Sequence, residues 1–147
     1  MKALIHQFFD DYTRRFNDAL NTETPDIEGM AACFASCFVE AGLAGIHCSR
    51  NNTQLRDMLP KGFAFYRSIG AVSMKIGSRV ITPLDKCHAM VRIHWQSLYR
   101  KQEGNRLEIG FDAHYFVQVI DGTVKIFACV TGDEQKQLQE KGLTPYS

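Results

Sequence analysis

Apolar side chains recur at steps of three and four at the start of the chain: Ile5, Phe8, Phe9, Tyr12, Phe16 and Leu20. On a helical repeat these positions form one stripe, with Asp10, Asp11, Arg14, Arg15 and Asp18 mostly off it, so the spacing predicts an amphipathic first helix. The stretch TPDIEGMAACFASCF predicts a second, with Thr24 as N-cap, Pro25 at the first helical position and a buried face of Ile27, Met30, Ala31 and Phe34. SCFVEAG and GIHCSR are short, apolar and bounded by glycine, and read as two small strands. A third helix is expected from Asn52 or Thr53, carrying Leu55, Leu59, Phe63 and Tyr66 at helical spacing. Pro60 lacks a backbone donor and crowds the preceding turn, so a kink or split is expected near Leu59.

From Val72 onward the period becomes two. VSMKIGSRVITP, CHAMVRIHWQSLY, RLEIGFDAHYFVQVI and TVKIFACV are rich in β-branched and aromatic residues and are separated by turn signals. Helices followed by long strands, with no repeat, linker or low-complexity segment, predict a single α+β domain over residues 1–147, its helices on one face of an antiparallel sheet.

Two turns set the register. KQEGNR suits a three-residue loop, Gln102 to Gly104, with glycine in the left-handed position, which pairs Lys101 with Asn105. Trp95 then faces Phe111, Ile93 faces Ala113, Val91 faces Tyr115 and Ala89 faces Val117, all on the helix side. The other side carries His94 opposite Asp112, Arg92 opposite His114 and Met90 opposite Phe116. A one-residue slip would mix polar with apolar on both faces. Asp121-Gly122 is a two-residue turn that pairs Val119 with Val124, Val117 with Ile126 and Tyr115 with Ala128.

Length and charge then narrow the function. A chain of 147 residues buries roughly 70% of its unfolded surface and sustains a real core. Seventeen Lys and Arg stand against sixteen Asp and Glu, for a formal charge of +1. No basic run tracks a phosphate backbone, so nucleic acid is not an expected partner. No segment is apolar for long enough to span a bilayer and the N-terminus lacks the pattern of a secretory signal, so a cytoplasmic location is expected. The five cysteines, Cys33, Cys37, Cys48, Cys87 and Cys129, show no CxxC spacing and stand in apolar contexts, which predicts reduced, core-packed thiols. The cluster His94, Asp112 and His114 has the composition of a metal site, but Arg92 among them would repel a cation, so no metal and no cofactor is expected.

The order of helices and strands, with FFDDYTRRFNDAL at the start, HAMVRIHW in the middle and DGTVKIFACVTGDEQKQLQEKGL at the end, resembles the nuclear transport factor two-like superfamily, and within it the SnoaL-like group. The similarity covers nearly the whole chain. It implies three N-terminal helices packed on a strongly bent mixed or antiparallel sheet that forms a cone with an internal pocket. Members include steroid isomerases, polyketide cyclases, dehydratases, epoxide hydrolases and transport adaptors, often as homodimers.

The resemblance also implies site residues. Tyr12 looks like the first-helix tyrosine of the steroid isomerases. Their general base falls near Ala41, with Glu40 on the neighbouring, outward step, and their second acid falls on Tyr115, so neither position carries a carboxylate. Asp133 is similar in placement to the acid of SnoaL-like cyclases, and it also suits the N-cap of DEQKQLQEKG. His47 is a further candidate acid or base at the pocket mouth.

Two function classes follow. One is a binding protein for a small apolar molecule in an aromatic pocket of Tyr12, Phe16, Phe34, Phe63, Trp95, Phe111 and Tyr115. The other is an isomerase, cyclase or hydratase that moves protons with Tyr12, His47 or Asp133. The pocket could also be filled by its own side chains, leaving the sheet face to act. On that outer face Met90, Arg92, His94, Gln96, Asp112, His114, Phe116 and Gln118, extended by Phe127 and Cys129, are poor in lysine and glutamate. Such a row suits a buried interface, and a homodimer through it is expected.

Overall fold

A computed structural model describes residues 1–101 and 103–143. Gln102, the first residue of the expected hairpin loop, lies outside the described residues. The first helix, α1 (Lys2–Leu20), buries Ile5 and Phe9 completely and Ala19 and Leu20 at its end, along the expected stripe. Its position is fixed by polar contacts as well. The Asn17 amide donates to the Met74 carbonyl and accepts from the Met74 N–H, both at 2.8 Å, and so satisfies a backbone pair on the facing strand. Arg79 reaches Asp10 at 2.6 Å and the His6 carbonyl at 3.1 Å.

The second helix, α2 (Ile27–Ala31), starts later than expected. Its cap is Asp26, whose carboxylate accepts from the Gly29 N–H at 3.0 Å. Thr24 instead turns its hydroxyl to that of Thr22, and Phe34 already belongs to the following strand. A carboxylate three residues before a free N–H competes well for the cap because the anion also sits favourably at the helix N-terminus.

Strands β1 (Phe34–Gly42) and β2 (Gly45–Arg50) form a hairpin, and α3 (Thr53–Ser68) follows, capped by Asn52 through the Leu55 N–H. The expected split at Pro60 does not occur: α3 continues through it to Ser68. Proline there removes one helical bond, to the Arg56 carbonyl. Most of α3 is open to solvent, with only Phe63 buried, so water can take the place of the missing donor.

Strands β3 (Ala71–Pro83), β4 (His88–Arg100), β5 (Arg106–Ile120) and β6 (Thr123–Thr131) complete a six-stranded sheet in the order β2-β1-β6-β5-β4-β3. Neighbours are antiparallel except β1 and β6, which run parallel, so the sheet is mixed and open at β2 and β3. With the helices on one face, this is the expected α+β cone.

The β4–β5 register agrees at every expected pair, from Ala89–Val117 to Trp95–Phe111 and from Met90–Phe116 to His94–Asp112. Lys101 donates to the Asn105 carbonyl at 2.8 Å, and Gly104 is left-handed at φ 86°. Asp121 and Gly122 both have positive φ, at 52° and 75°, as a tight primed turn requires.

The β5–β6 ladder departs from expectation beyond Val117–Ile126. A bulge makes Phe127 the extra residue, so Tyr115 pairs with Cys129 rather than Ala128. Cys129 therefore turns into the core, not onto the outer face. Phe127 stays outside, 6.1 Å from the Phe116 ring.

Cys33 and Cys129 are buried, but Cys37 and Cys48 are exposed, contrary to the expectation of core packing. They sit on the outer side of the β1–β2 end of the sheet, beside an open groove with Val39 and Phe127. Among the described residues no helix is long and apolar enough to cross a membrane.

Candidate functional site

The stripe of α1, the inner side of the β1–β2 hairpin and one face of α3 do not close on each other. They enclose a cleft of about 790 Å³. Tyr12 and Phe16 come from α1, Phe34 from β1, and Leu55, Leu59, Phe63 and Tyr66 from α3. Phe16 meets Phe63 edge to face at 5.2 Å and Tyr66 at 5.8 Å. Such contacts hold the aromatic wall in one arrangement.

The mouth is polar. Glu40 and His47 are cross-strand partners in the hairpin, and both border the cleft with Ser49. Glu40 thus faces inward, which corrects the outward placement drawn from the family pattern. The reason is the strand period: Phe34 and Phe38 are buried, and Glu40 follows Phe38 by two residues on the same side. The neighbouring core agrees, since the Cys129 thiol is pushed up to about 11 by burial first and by the nearby Glu40 charge second.

Beneath the cleft floor lies a buried polar core. The Trp95 indole N–H donates to the Tyr115 hydroxyl at 3.0 Å, and the Tyr12 ring lies 6.1 Å from Trp95 and 6.3 Å from Tyr115. Burial raises the Tyr12 and Tyr115 phenols above their ordinary value, so both remain neutral hydrogen-bonding groups.

Of the expected site residues, Tyr12, Phe16, Phe34, Phe63 and His47 border the cleft. Trp95, Phe111 and Tyr115 pack in the core outside its lining. Asp133 lies away from the cleft, at the N-cap position of a short last helix, α4 (Glu134–Glu140). Its carboxylate accepts from the Gln137 side chain at 2.9 Å, with no side-chain bond to the helix backbone.

The acid that sequence reasoning missed is the next residue, Glu134. Burial raises its carboxyl above the ordinary value, against the lowering effect of hydrogen bonding from Tyr66 and Tyr99. The Tyr99 hydroxyl donates to its Oε1 at 3.5 Å. Tyr66 also borders the cleft, and its phenol is raised by burial first and by the nearby Glu134 charge second. The signal was present in α4: Leu138, which is buried, stands one helical turn after Glu134 on the same face.

A pH dependence follows. A carboxyl raised above its unfolded value contributes most to stability when protonated, and that contribution is lost as pH rises through the folded value. Thermal melts from about pH 4 to about pH 8 should show Glu134→Gln gaining on the wild type as pH rises above the ordinary 4.5. A stability difference that does not change with pH would refute this.

On the outer face, His94 Nδ1 lies 2.8 Å from Asp112 Oδ1, and His88 pairs with Asp85 at the same distance. No cluster of three or more metal-binding side chains occurs among the described residues.

The comparisons agree with this architecture. The family model described as "NTF2-like protein (DUF6841)" matches residues 2–134. No protein of curated function matches the sequence. Aln2 from a Streptomyces species is similar in structure at a TM-score of 0.70 and 13% identity, over 95% of this chain and 94% of that one. An NTF2-like protein with a cystatin-like fold from Novosphingobium aromaticivorans gives 0.69 at 10% identity, over 99% and 89%. A ketosteroid isomerase-like protein from Erwinia carotovora atroseptica gives 0.59 at 15% identity, over 88% and 93%. At these identities the likeness is one of fold.

Proposed function

The chain belongs to the NTF2-like protein family DUF6841, and from that premise we propose that it binds a small, largely apolar molecule in the cleft between α1, α3 and the β1–β2 hairpin. The observation that carries this reading is a cavity of about 790 Å³ bordered by the aromatic side chains of Phe16, Phe34 and Phe63, which the packing of α1, α3 and the hairpin leaves unfilled. Concave apolar sites with a few polar groups at one end are the usual form of a small-molecule site.

Gly62 gives the test. It borders the cleft, and a Cβ placed on it meets nothing within 4 Å. Nile red, an uncharged aromatic dye, is expected to bind the wild type saturably, and Gly62→Leu should abolish that binding while the helix persists. Saturable binding that survives Gly62→Leu, or none by the wild type, would count against the reading.

A second reading is favoured by Glu40 and His47, which face each other at the mouth. Together with Tyr12 they put a carboxylate, an imidazole and a phenol on one cavity, the components of an isomerase, cyclase or hydratase. Asp133 has no part in that set.

The outer sheet face is read as the contact of a homodimer. Met90, Phe116 and Phe127 provide apolar surface, and Arg92 and His114 stand beside Asp112 in a pattern that a two-fold axis can pair with itself. Light scattering at micromolar concentration is expected to give a dimer for the wild type and a monomer for Phe116→Glu. A monomeric wild type, or a variant that stays dimeric, would refute it. The five unpaired thiols fit a reducing compartment such as the cytoplasm.

A further inference from the structure

The charges around the cleft are unevenly committed. Most of the nearby cations already have partners: Arg15 pairs with Asp26 at 3.1 Å and Arg56 with Glu28 at 2.7 Å. Arg67 donates to the carbonyls of Ala19 and Thr22 at 2.9 and 2.8 Å, and the Lys125 ammonium donates to the Ala32 carbonyl. Glu40 is different. It borders the cavity, yet among the described residues its carboxylate has no ion-pair partner and accepts no side-chain hydrogen bond.

One cation, Arg50, borders the same cleft, but it stands at the other end of the β1–β2 ladder from Glu40, three register positions away. The phenols of Tyr12 and Tyr66 are neutral, and behind Tyr66 lies a second carboxyl, Glu134. Arg50, the last residue of β2, is exposed at the rim. It stands in register with Cys37 and also borders the groove on the outer side of the hairpin. Tyr12, Phe16, Phe34, Phe63 and Tyr66 line the same cleft, and the face of an aromatic ring attracts a cation and not an anion.

We propose that the cleft takes a hydrophobic amine, a compound with an aromatic or aliphatic body lying against Phe16, Phe34 and Phe63 and one protonated nitrogen held at the mouth by Glu40. The proposal rests on the cleft being a ligand site and adds the chemical class of the ligand. Glu40 supplies an ion pair together with its hydrogen bond, which an uncharged alcohol of the same shape cannot match, and it repels a carboxylate. His47, across the ladder, offers a ring nitrogen to the same group.

Three compounds with a shared naphthalene body separate the possibilities: naphthylmethylamine, naphthylmethanol and naphthoate, titrated by calorimetry at about pH 8, where an alkylammonium group stays charged. The amine is expected to bind roughly tenfold more tightly than the alcohol, with naphthoate the weakest. Glu40→Gln should bring the amine to within about twofold of the alcohol, with the amine losing far more affinity than the alcohol, since shape is kept and only the carboxylate charge is lost. Glu40→Lys should reverse the order and favour naphthoate. An amine no tighter than the alcohol, or an advantage that survives Glu40→Gln, overturns the amine assignment while the cleft remains a ligand site. Preference of the wild type for naphthoate overturns it in favour of Arg50. If none of the three binds, the amine assignment and the ligand-site reading fall together.

Discussion

Gly70→Ala is expected to lower the stability of the fold by about 2–4 kcal/mol. Gly70 is the corner at which α3 ends and β3 begins. Its φ is 94°, a left-handed conformation that a side chain disfavours. Its N–H donates to the Arg67 carbonyl at 3.1 Å, and its carbonyl accepts from the Arg100 N–H at 2.8 Å. A Cβ on Gly70 would run into the Arg100 carbonyl oxygen, which is backbone and cannot swing aside as a side chain would. Conformational strain and steric overlap therefore add, and relief would have to open the junction between the end of α3 and the end of β4.

That junction also holds Tyr99, which bonds Glu134, so the loss should extend to the docking of α4. Urea denaturation measures the effect. Gly62→Ala is the matched control: it lies inside α3 with open space where the methyl would go, and it should gain up to about 1 kcal/mol from helix propensity alone. A Gly70→Ala loss below about 1 kcal/mol would mean that the α3–β3 corner yields easily and is not a fixed point of the fold.

Phe9→Ala is expected to cost about 3–5 kcal/mol. Phe9 is 0% exposed at the centre of the α1 stripe. Its ring lies 5.0 Å from Phe8 and from Tyr115 and 6.1 Å from Tyr12. Truncation removes both the transfer energy of the ring and the contacts of the groups around it. Those neighbours are held by the Trp95–Tyr115 bond and by the helix itself, and they cannot collapse fully into the space.

For a domain of this size the loss corresponds to a fall in Tm of roughly 10 °C. Trp95, the single tryptophan, would report it by fluorescence. Phe9→Leu, which keeps most of the volume, should cost less than about 1.5 kcal/mol. If the alanine and leucine variants melt alike, Phe9 does not organise the core beneath the cleft.

The order of residues was enough to define the elements and the central hairpin. In β4 and β5 polar and apolar residues alternate cleanly, and Gly104 fixes the turn between them, so a one-residue slip would have exchanged the two faces and only one register was acceptable. The helical stripe of α1 was legible for the same reason: a strong period leaves one way to bury it.

Where the local pattern is degenerate, packing made the choice. Phe127, Ala128 and Cys129 are all apolar, so alternation could not reveal which of them the bulge expels, and pairing with both β5 and β1 resolved it. The direction of Glu40 was open for a related reason. SCFVEAG carries apolar residues on both faces, and Glu40 was turned to the cleft only by the burial of Phe34 and Phe38 against the core.

Trp95 and Tyr115 were expected on the cavity wall, but α1 comes close enough to cover them, leaving Tyr12 as the aromatic of that group which reaches the cleft. Glu134, Tyr66 and Tyr99 come from α4, α3 and β4, segments far apart in the chain, so no spacing could have announced their meeting. Periodicity records which side of an element is buried; which distant element covers it, and what is left uncovered, is settled only when the layers pack.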